Sequence, residues 1–159
     1  MRVSAVLYRP SQAADVPGMA LIRACESGSV EFWTNRISAY LNGEHNPQRA
    51  LPPRRCYVAV RESSVVAFVA GHLTRRQRCD GELQWINVIR ERRGSGIASD
   101  LLRLLAGWFV EQKAFRICVN VDPSNALARV FYTRHGAETL NAHWLVWNDI
   151  SNVLDKRRF

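Results

Sequence analysis

Val88-Ile89-Arg90-Glu91-Arg92-Arg93-Gly94-Ser95-Gly96-Ile97-Ala98 joins an apolar, strand-like run over 83–89 to a long amphipathic run over 97–109 through a basic, glycine-rich turn. A strand entering a helix through such a turn builds an anion site. The first amides of a helix have no intrahelical partner, and the helix dipole adds partial positive charge at that end. Gly94 and Gly96 let the backbone approach a phosphate without an intervening Cβ and permit positive φ, while Arg92 and Arg93 supply charge. The turn reads as a cradle for a pyrophosphate.

Working outward, Val3, Ala5 and Leu7 alternate as a first strand that stops at Pro10, and Ser11 is placed to cap a helical run through Met19, Leu21, Ile22 and Cys25 that ends near Gly28. A second helical pattern (Phe32, Trp33, Ile37, Tyr40, Leu41) ends at Asn42-Gly43, and the polar, proline-bearing stretch 44–55 reads as a loop. Two β-rich runs, 57–60 and 65–71, are joined by a hairpin-length connection, and a strand over 82–89 follows. Downstream come a helix over about 96–112 with Ile97, Leu101, Leu104, Leu105 and Trp108 on one stripe, an apolar strand over 115–121, and a helix over 124–135. A short strand around 137–140 and a final strand at 144–147 complete the chain. This order predicts an α/β (α+β) domain: one mixed, mostly antiparallel sheet of about six to seven strands with helices on both faces and at least one parallel crossover.

The 159 residues suit a single domain spanning 1–159, with 149–159 as a basic tail. Hydrophobic residues at 47% and charged residues at 23% exclude a disordered chain. No apolar run reaches the ~20 residues that cross a bilayer, and the first residues alternate too much for a secretory signal, so a cytoplasmic location is expected. Cys25, Cys56, Cys79 and Cys118 are scattered without paired ligand spacing, which argues against a metal site and for reduced thiols. The net charge of +8 calls for an anionic ligand or partner. Its arginines are dispersed in small clusters (54–55, 75–78, 90–93, 156–158), so a polyanionic cofactor accounts for one cluster, and nucleic acid is the less favoured partner.

The segment 88–98 is similar to the pyrophosphate loop of the GCN5-related N-acetyltransferase (GNAT) superfamily, Q/R-x-x-G-x-G/A within V-x-P-x-x-R-G-x-G-I-G/A. Arg90 stands where proline is usual, and Glu91 replaces the first Gln/Arg. The segment Asn125-Ala126-Leu127-Ala128-Arg129-Val130-Phe131-Tyr132-Thr133-Arg134-His135-Gly136-Ala137 resembles the family helix N-x-x-A-x-x-F-Y-x-x-x-G-F/A. One glycine loop is weak evidence; two family segments in order, with a strand between them, are strong. A dinucleotide fingerprint fails because Ser99 stands at its third glycine, and a Walker loop is absent.

The resemblance implies acetyl-CoA as co-substrate, with pantetheine along the strand that carries Ile86 and Val88. It places the pyrophosphate on the amides of Arg93, Gly94, Ser95, Gly96, Ile97 and Ala98, and gives Asn125 either a pantetheine bond or a helix cap. Tyr132 matches the tyrosine assigned as general acid to the leaving thiolate; the alternative is simple packing beside Phe131. Period-two alternation puts Asp80, Glu82, Gln84, Ile86 and Val88 on one face. On that face Glu82 is the first candidate base, with Asp80 or water alone behind it and a solvated edge position as its competing reading. His135, ending the second motif, reads as a helix C-terminal cation, and His45 and His72 as structural. Trp33, Trp85, Trp144 and Trp147 read as core or pocket walls. The expected activity is acetyl transfer to a primary amine of a small molecule by direct attack in a ternary complex, with a homodimer as the expected assembly where one forms. Acceptors on a protein or aminoacyl-tRNA, and a non-catalytic CoA-binding module, are the alternatives.

Overall fold

The structure is a computed structural model, which describes residues 5–155. The chain runs β1 (Leu7–Pro10), α1 (Val16–Ala24), α2 (Val30–Leu41), β2 (Ala50–Arg61), β3 (Ser64–Thr74), β4 (Gly81–Val88), α3 (Ile97–Glu111), β5 (Ile117–Asn120), α4 (Ala126–Arg134), β6 (Glu138–Asn141) and β7 (Trp144–Trp147). The seven strands form one sheet in the order β1-β2-β3-β4-β5-β7-β6. Every pairing is antiparallel except β4 with β5, and α3 makes that crossover.

Two apolar cores lie on opposite faces. Val16, Met19, Ala20 and Ile22 of α1 and Ile37 and Tyr40 of α2 pack on Val58, Phe68, Ala70 and Trp85. On the other face, Leu101, Leu102, Leu105 and Phe109 of α3 join Val69, Leu83, Ile117 and Leu145, with Tyr132 of α4. Gly71 and Gly81 sit beneath Phe109, where a Cβ would come within 3.0 and 2.5 Å of its ring. That close approach seats α3 on the sheet.

Four local expectations differ from what the chain does. First, the stretch 44–55 is a loop only as far as Arg49; from Ala50 it is already β2. Pro52 and Pro53 lack the N–H a ladder needs, so the register breaks between Leu51 and Arg54 rather than the strand ending. Second, Ser11 caps nothing. A short 3-10 turn at Ala13–Asp15 precedes α1, and Asp15 accepts from the Gln12 amide while Pro17 opens the helix. Third, the basic tail begins with structure: Asp149 caps a 3-10 turn, Ile150–Leu154, whose Ile150 and Val153 are buried in the α3 core. Fourth, β1 is Leu7–Pro10 rather than a strand centred on Ala5, and Val3 lies outside the described residues, as do Lys156 to Arg158.

A fifth difference shapes the site. In β4, Trp85 pairs with Ala70 and Leu83 with Gly71, so Gln84 is an extra residue, a β-bulge. The bulge flips the alternation. Leu83, Ile86 and Val88 face the α3 core, whereas Trp85 faces α1 and α2. Glu82 therefore does not share a face with Ile86 and Val88.

Candidate active site

Only Gly81, Glu82 and Leu83 of β4 pair with β5, opposite Ile117, Cys118 and Val119. From the bulge to Val88 the β5-facing edge of β4 has no strand beside it, so the two strands splay apart. At the end of that opening lies the loop that begins α3. A 3-10 turn at Arg90–Arg92 leads into Gly94 and Gly96 at φ 80° and 89°, and Gly96 sits at the N-cap of α3 in the left-handed region, with no side chain capping the helix. A Cβ at either glycine would meet nothing within 4 Å. The glycines are thus required by backbone conformation, and the space above them stays open. The amides of 94–99 have no backbone acceptor among the described residues, the next one, Asp100, being the first to bond back into the helix, to Gly96.

Arg93 departs from the expected role. Its amide donates to the Arg90 carbonyl at 3.3 Å. Its guanidinium turns back onto the Val88 carbonyl (3.2 Å) and Glu26 Oε1 (2.5 Å), away from the open side of the loop. Arg93 thereby ties the loop to the segment after α1. The Ser95 hydroxyl donates to the Arg92 carbonyl, Ile97 is buried, and Ala98 packs against the α3 core.

Across the opening, Asn125 caps α4, its Oδ1 accepting from the Ala128 amide at 3.1 Å. Tyr132 is buried between the edges of Phe131 and Trp147, at 5.5 and 5.6 Å. Burial pushes its phenol above the ordinary tyrosine value, and the nearby charge of Arg23 opposes that only in part. It is a protonated hydroxyl at neutral pH. His135 is where the motif predicted, just after the helix, but it is not a cation: burial, then Arg103 and Arg134, push it below the ordinary histidine value. Its Nε2 lies 2.9 Å from the Ser99 hydroxyl, so it links α4 to the first turn of α3.

Glu82 is only 4% exposed, which removes the solvated-edge reading. It lies on the last paired rungs before the splay, where its Oε1 is 3.5 Å from His72 Nε2 and 3.8 Å from Arg76 Nη1. His72 is wholly buried, and Arg76 lies over Trp144 at 4.5 Å. Asp80 accepts from the Phe115 and Arg116 amides through Oδ2, at 3.0 Å each, and so pins the start of β5.

The sequence reading missed Arg23 and Asn87. Arg23 stacks on Trp33 at 4.2 Å and donates to Asn87 Oδ1 of β4 at 3.2 Å, over the unpaired part of that strand. No spacing signals such a pair, because the two residues lie 64 positions apart and only the fold brings them together. Trp33, Trp85 and Tyr40 make an edge-packed wall on the same face, with centroids 6.1 and 5.0 Å apart. Cys56, Cys79 and Cys118 are buried free thiols, and burial pushes Cys56 up to about 12, which takes it out of nucleophilic chemistry. Among the described residues no three His, Cys, Asp or Glu side chains group as metal ligands. No helix of the described residues is long and apolar enough to cross a membrane.

Residues 22–137 match the acetyltransferase (GNAT) family. No curated protein sequence matches the chain. Among solved structures, an acetyltransferase from Thermus thermophilus superposes with a TM-score of 0.71 at 17% identity, over 92% of this chain and 98% of that one. The GNAT family N-acetyltransferase YhbS from Escherichia coli, in complex with CoA, gives 0.69 at 17% identity over 98% and 88%. The Paia N-acetyltransferase from Thermoplasma acidophilum, in complex with coenzyme A, gives 0.67 at 13% identity over 91% and 99%. These likenesses are of fold, and the family match spans the splay, the glycine loop and α4. This chain belongs to the GNAT family of acetyltransferases.

Proposed function

We propose that this protein transfers an acetyl group from acetyl-CoA to a primary amine of a small molecule, by direct attack within a ternary complex. The observation that carries the reading is the run of unpaired amides at 94–99, over glycines whose missing Cβ atoms leave open space, at the mouth of the β4–β5 splay. That arrangement fits a diphosphate: donors at a helix N-terminus and no side chain in the way. The free β4 edge from Gln84 to Val88 offers main-chain groups to an extended pantetheine, as a strand would be added. When bound, the thioester supplies an activated acyl group. The chain's own residues supply the rest.

Arg23 and Asn87, on the α1–α2 face of the opening, and the Trp33–Trp85–Tyr40 wall border the acceptor side. A guanidinium held there disfavours protonation of an incoming amine and so raises the fraction able to attack. Glu82 accepts the amine's proton, directly or through one water, and Tyr132 delivers a proton to the departing sulfur. Orientation by the cradle provides much of the acceleration. A location in a reducing compartment suits four unpaired thiols.

The test is release of free thiol from acetyl-CoA across a panel of small amines at two salt concentrations. Acceptor-dependent release, insensitive to salt, supports the reading. Turnover that needs RNA and falls steeply with salt transfers it to a nucleic-acid acceptor. Tight CoA binding with no release for any amine reduces the chain to a binding module.

A further inference from the structure

Glu82 is not alone in the floor of the splay. His72 of β3 is its cross-strand neighbour and is fully buried, with Nε2 3.5 Å from Glu82 Oε1. On the ring's other side, Nδ1 lies 2.8 Å from the hydroxyl of Tyr40, which α2 contributes and which is also fully buried. The two atoms face each other without making a hydrogen bond, and neither His72 Nε2 nor Glu82 Oε1 has a hydrogen-bond partner among the described residues. A buried ring nitrogen and a buried carboxylate oxygen left facing each other call for a hydrogen between them.

The tautomer follows from electrostatics. A lone pair on Nε2 facing a carboxylate oxygen is repulsive, so Nε2 carries the hydrogen and points it at Glu82. Nδ1 must then accept, and the Tyr40 hydroxyl must donate. Burial pushes the Tyr40 phenol well above its ordinary value, with Arg54 over its ring pulling the other way, and it stays a donor.

Taking Glu82 as the base proposed above, we infer that Tyr40 and His72 form a buried relay that positions Glu82, the 3.5 Å contact between His72 and Glu82 closing into a hydrogen bond in the working enzyme. The order is Tyr40 O–H to His72 Nδ1, then His72 Nε2–H to Glu82 Oε1, which leaves the other carboxylate oxygen for the substrate proton. His72 and Tyr40 act through Glu82 and touch no substrate. The other groups facing this cluster are Arg76, from the turn before β4, Cys79 just before β4, Cys118 of β5, and Cys56 and Arg54 of β2. Arg76 adds a cation at 3.8 Å from Glu82, and the three cysteines are buried free thiols. The bulge at Gln84 makes the arrangement possible, because it turns Glu82 onto the α2 face while Ile86 and Val88 stay on the other.

Two measurements on the full chain test this. Nitrogen-15 spectra of histidine-labelled protein, with His72 assigned by its loss in His72→Gln, are expected to show the Nε2–H tautomer and a loss of its single-tautomer signature in Tyr40→Phe. In parallel, kcat and KM for the best amine are measured separately, with thermal melts to confirm folding. His72→Phe is expected to lower kcat about tenfold with KM for the amine unchanged, since a misplaced base slows proton removal without weakening binding. His72→Gln, whose amide can replace the Nε2–H, restores kcat. Glu82→Gln costs about 100-fold.

An Nδ1–H tautomer, or a folded His72→Phe with an unchanged kcat, overturns the relay while leaving the acetyltransferase reading intact. A folded Glu82→Gln with an unchanged rate overturns both the base and the relay. Failure of the wild-type chain to bind coenzyme A overturns the function above, and the inference with it.

Discussion

At the scale of single residues, charge and burial separate roles that sequence spacing leaves together. Tyr132 and His135 come from one motif, yet the tyrosine keeps its proton at neutral pH while the histidine is held neutral. Replacing Tyr132 with Phe removes the proton donor but keeps the ring between Phe131 and Trp147. Turnover should fall by about 100-fold, the low end of general-acid contributions, with coenzyme A affinity unchanged; an unaltered kcat in steady-state assays would remove Tyr132 from the chemistry. Asp15 shows the same physics in a stabilising role. Two bonds from Arg9, at 2.7 and 2.9 Å, outweigh burial and, with the Gln12 amide, hold its carboxyl below the ordinary aspartate value. A group with a lowered folded pKa contributes stability above its unfolded value of about 3.9 and loses it as pH falls through the folded one. Melting curves of wild type and Asp15→Asn should differ clearly at neutral pH and converge in acid; a gap that persists in strong acid would refute the ion pair's contribution.

At the scale of elements, the glycine loop and the α4 motif were legible because each is local: a left-handed pair of glycines, a helix start, a cap at Asn125. The bulge at Gln84 was not. Period-two reasoning assumes an unbroken pleat, and nothing in 80–88 announces an extra residue, since the bulge is defined only by its pairing with Ala70 and Gly71. For the same reason the partners of Glu82 stayed hidden: His72 and Tyr40 lie 10 and 42 positions away in the chain and come to it across β3 and from α2. Proline misled at 52–53, where a long edgeward strand carries two of them through a register break. The packing of α3 on β4 makes a sharper prediction. A Cβ at Gly81 would sit 2.5 Å from Phe109 Cε1 and 2.9 Å from Ile117 Cδ1. Gly81→Ala should destabilise by about 1–3 kcal/mol from overpacking, more than the ~0.4–1 kcal/mol gained through the unfolded chain. Chemical denaturation measures this directly, and a neutral or stabilising result would show that α3 is free to shift.

At the scale of the whole molecule, one departure from regularity organises the site. A seven-stranded sheet with a single parallel pair comes apart where that pair ends, because β5 is only four residues long and β4 is eight. The order of elements along the chain and a mixed, mostly antiparallel sheet with helices on both faces were legible in hydrophobic periodicity and turn residues. The splay itself depends on strand lengths and register, which periodicity does not report. It sets an open backbone edge beside a helix N-terminus, with the Glu82 cluster on one face and Tyr132 on the other. A ligand that binds only this folded arrangement stabilises it by mass action, about 2.7 kcal/mol at a hundredfold excess over its Kd. The most direct test is therefore calorimetric titration of coenzyme A into the folded wild-type chain and into Gly96→Glu, which sets bulk and negative charge over the amides of the loop. Saturable heat with the wild type and none with the folded variant is the expected result; equal heat from both, or none from the wild type, would contradict the diphosphate cradle.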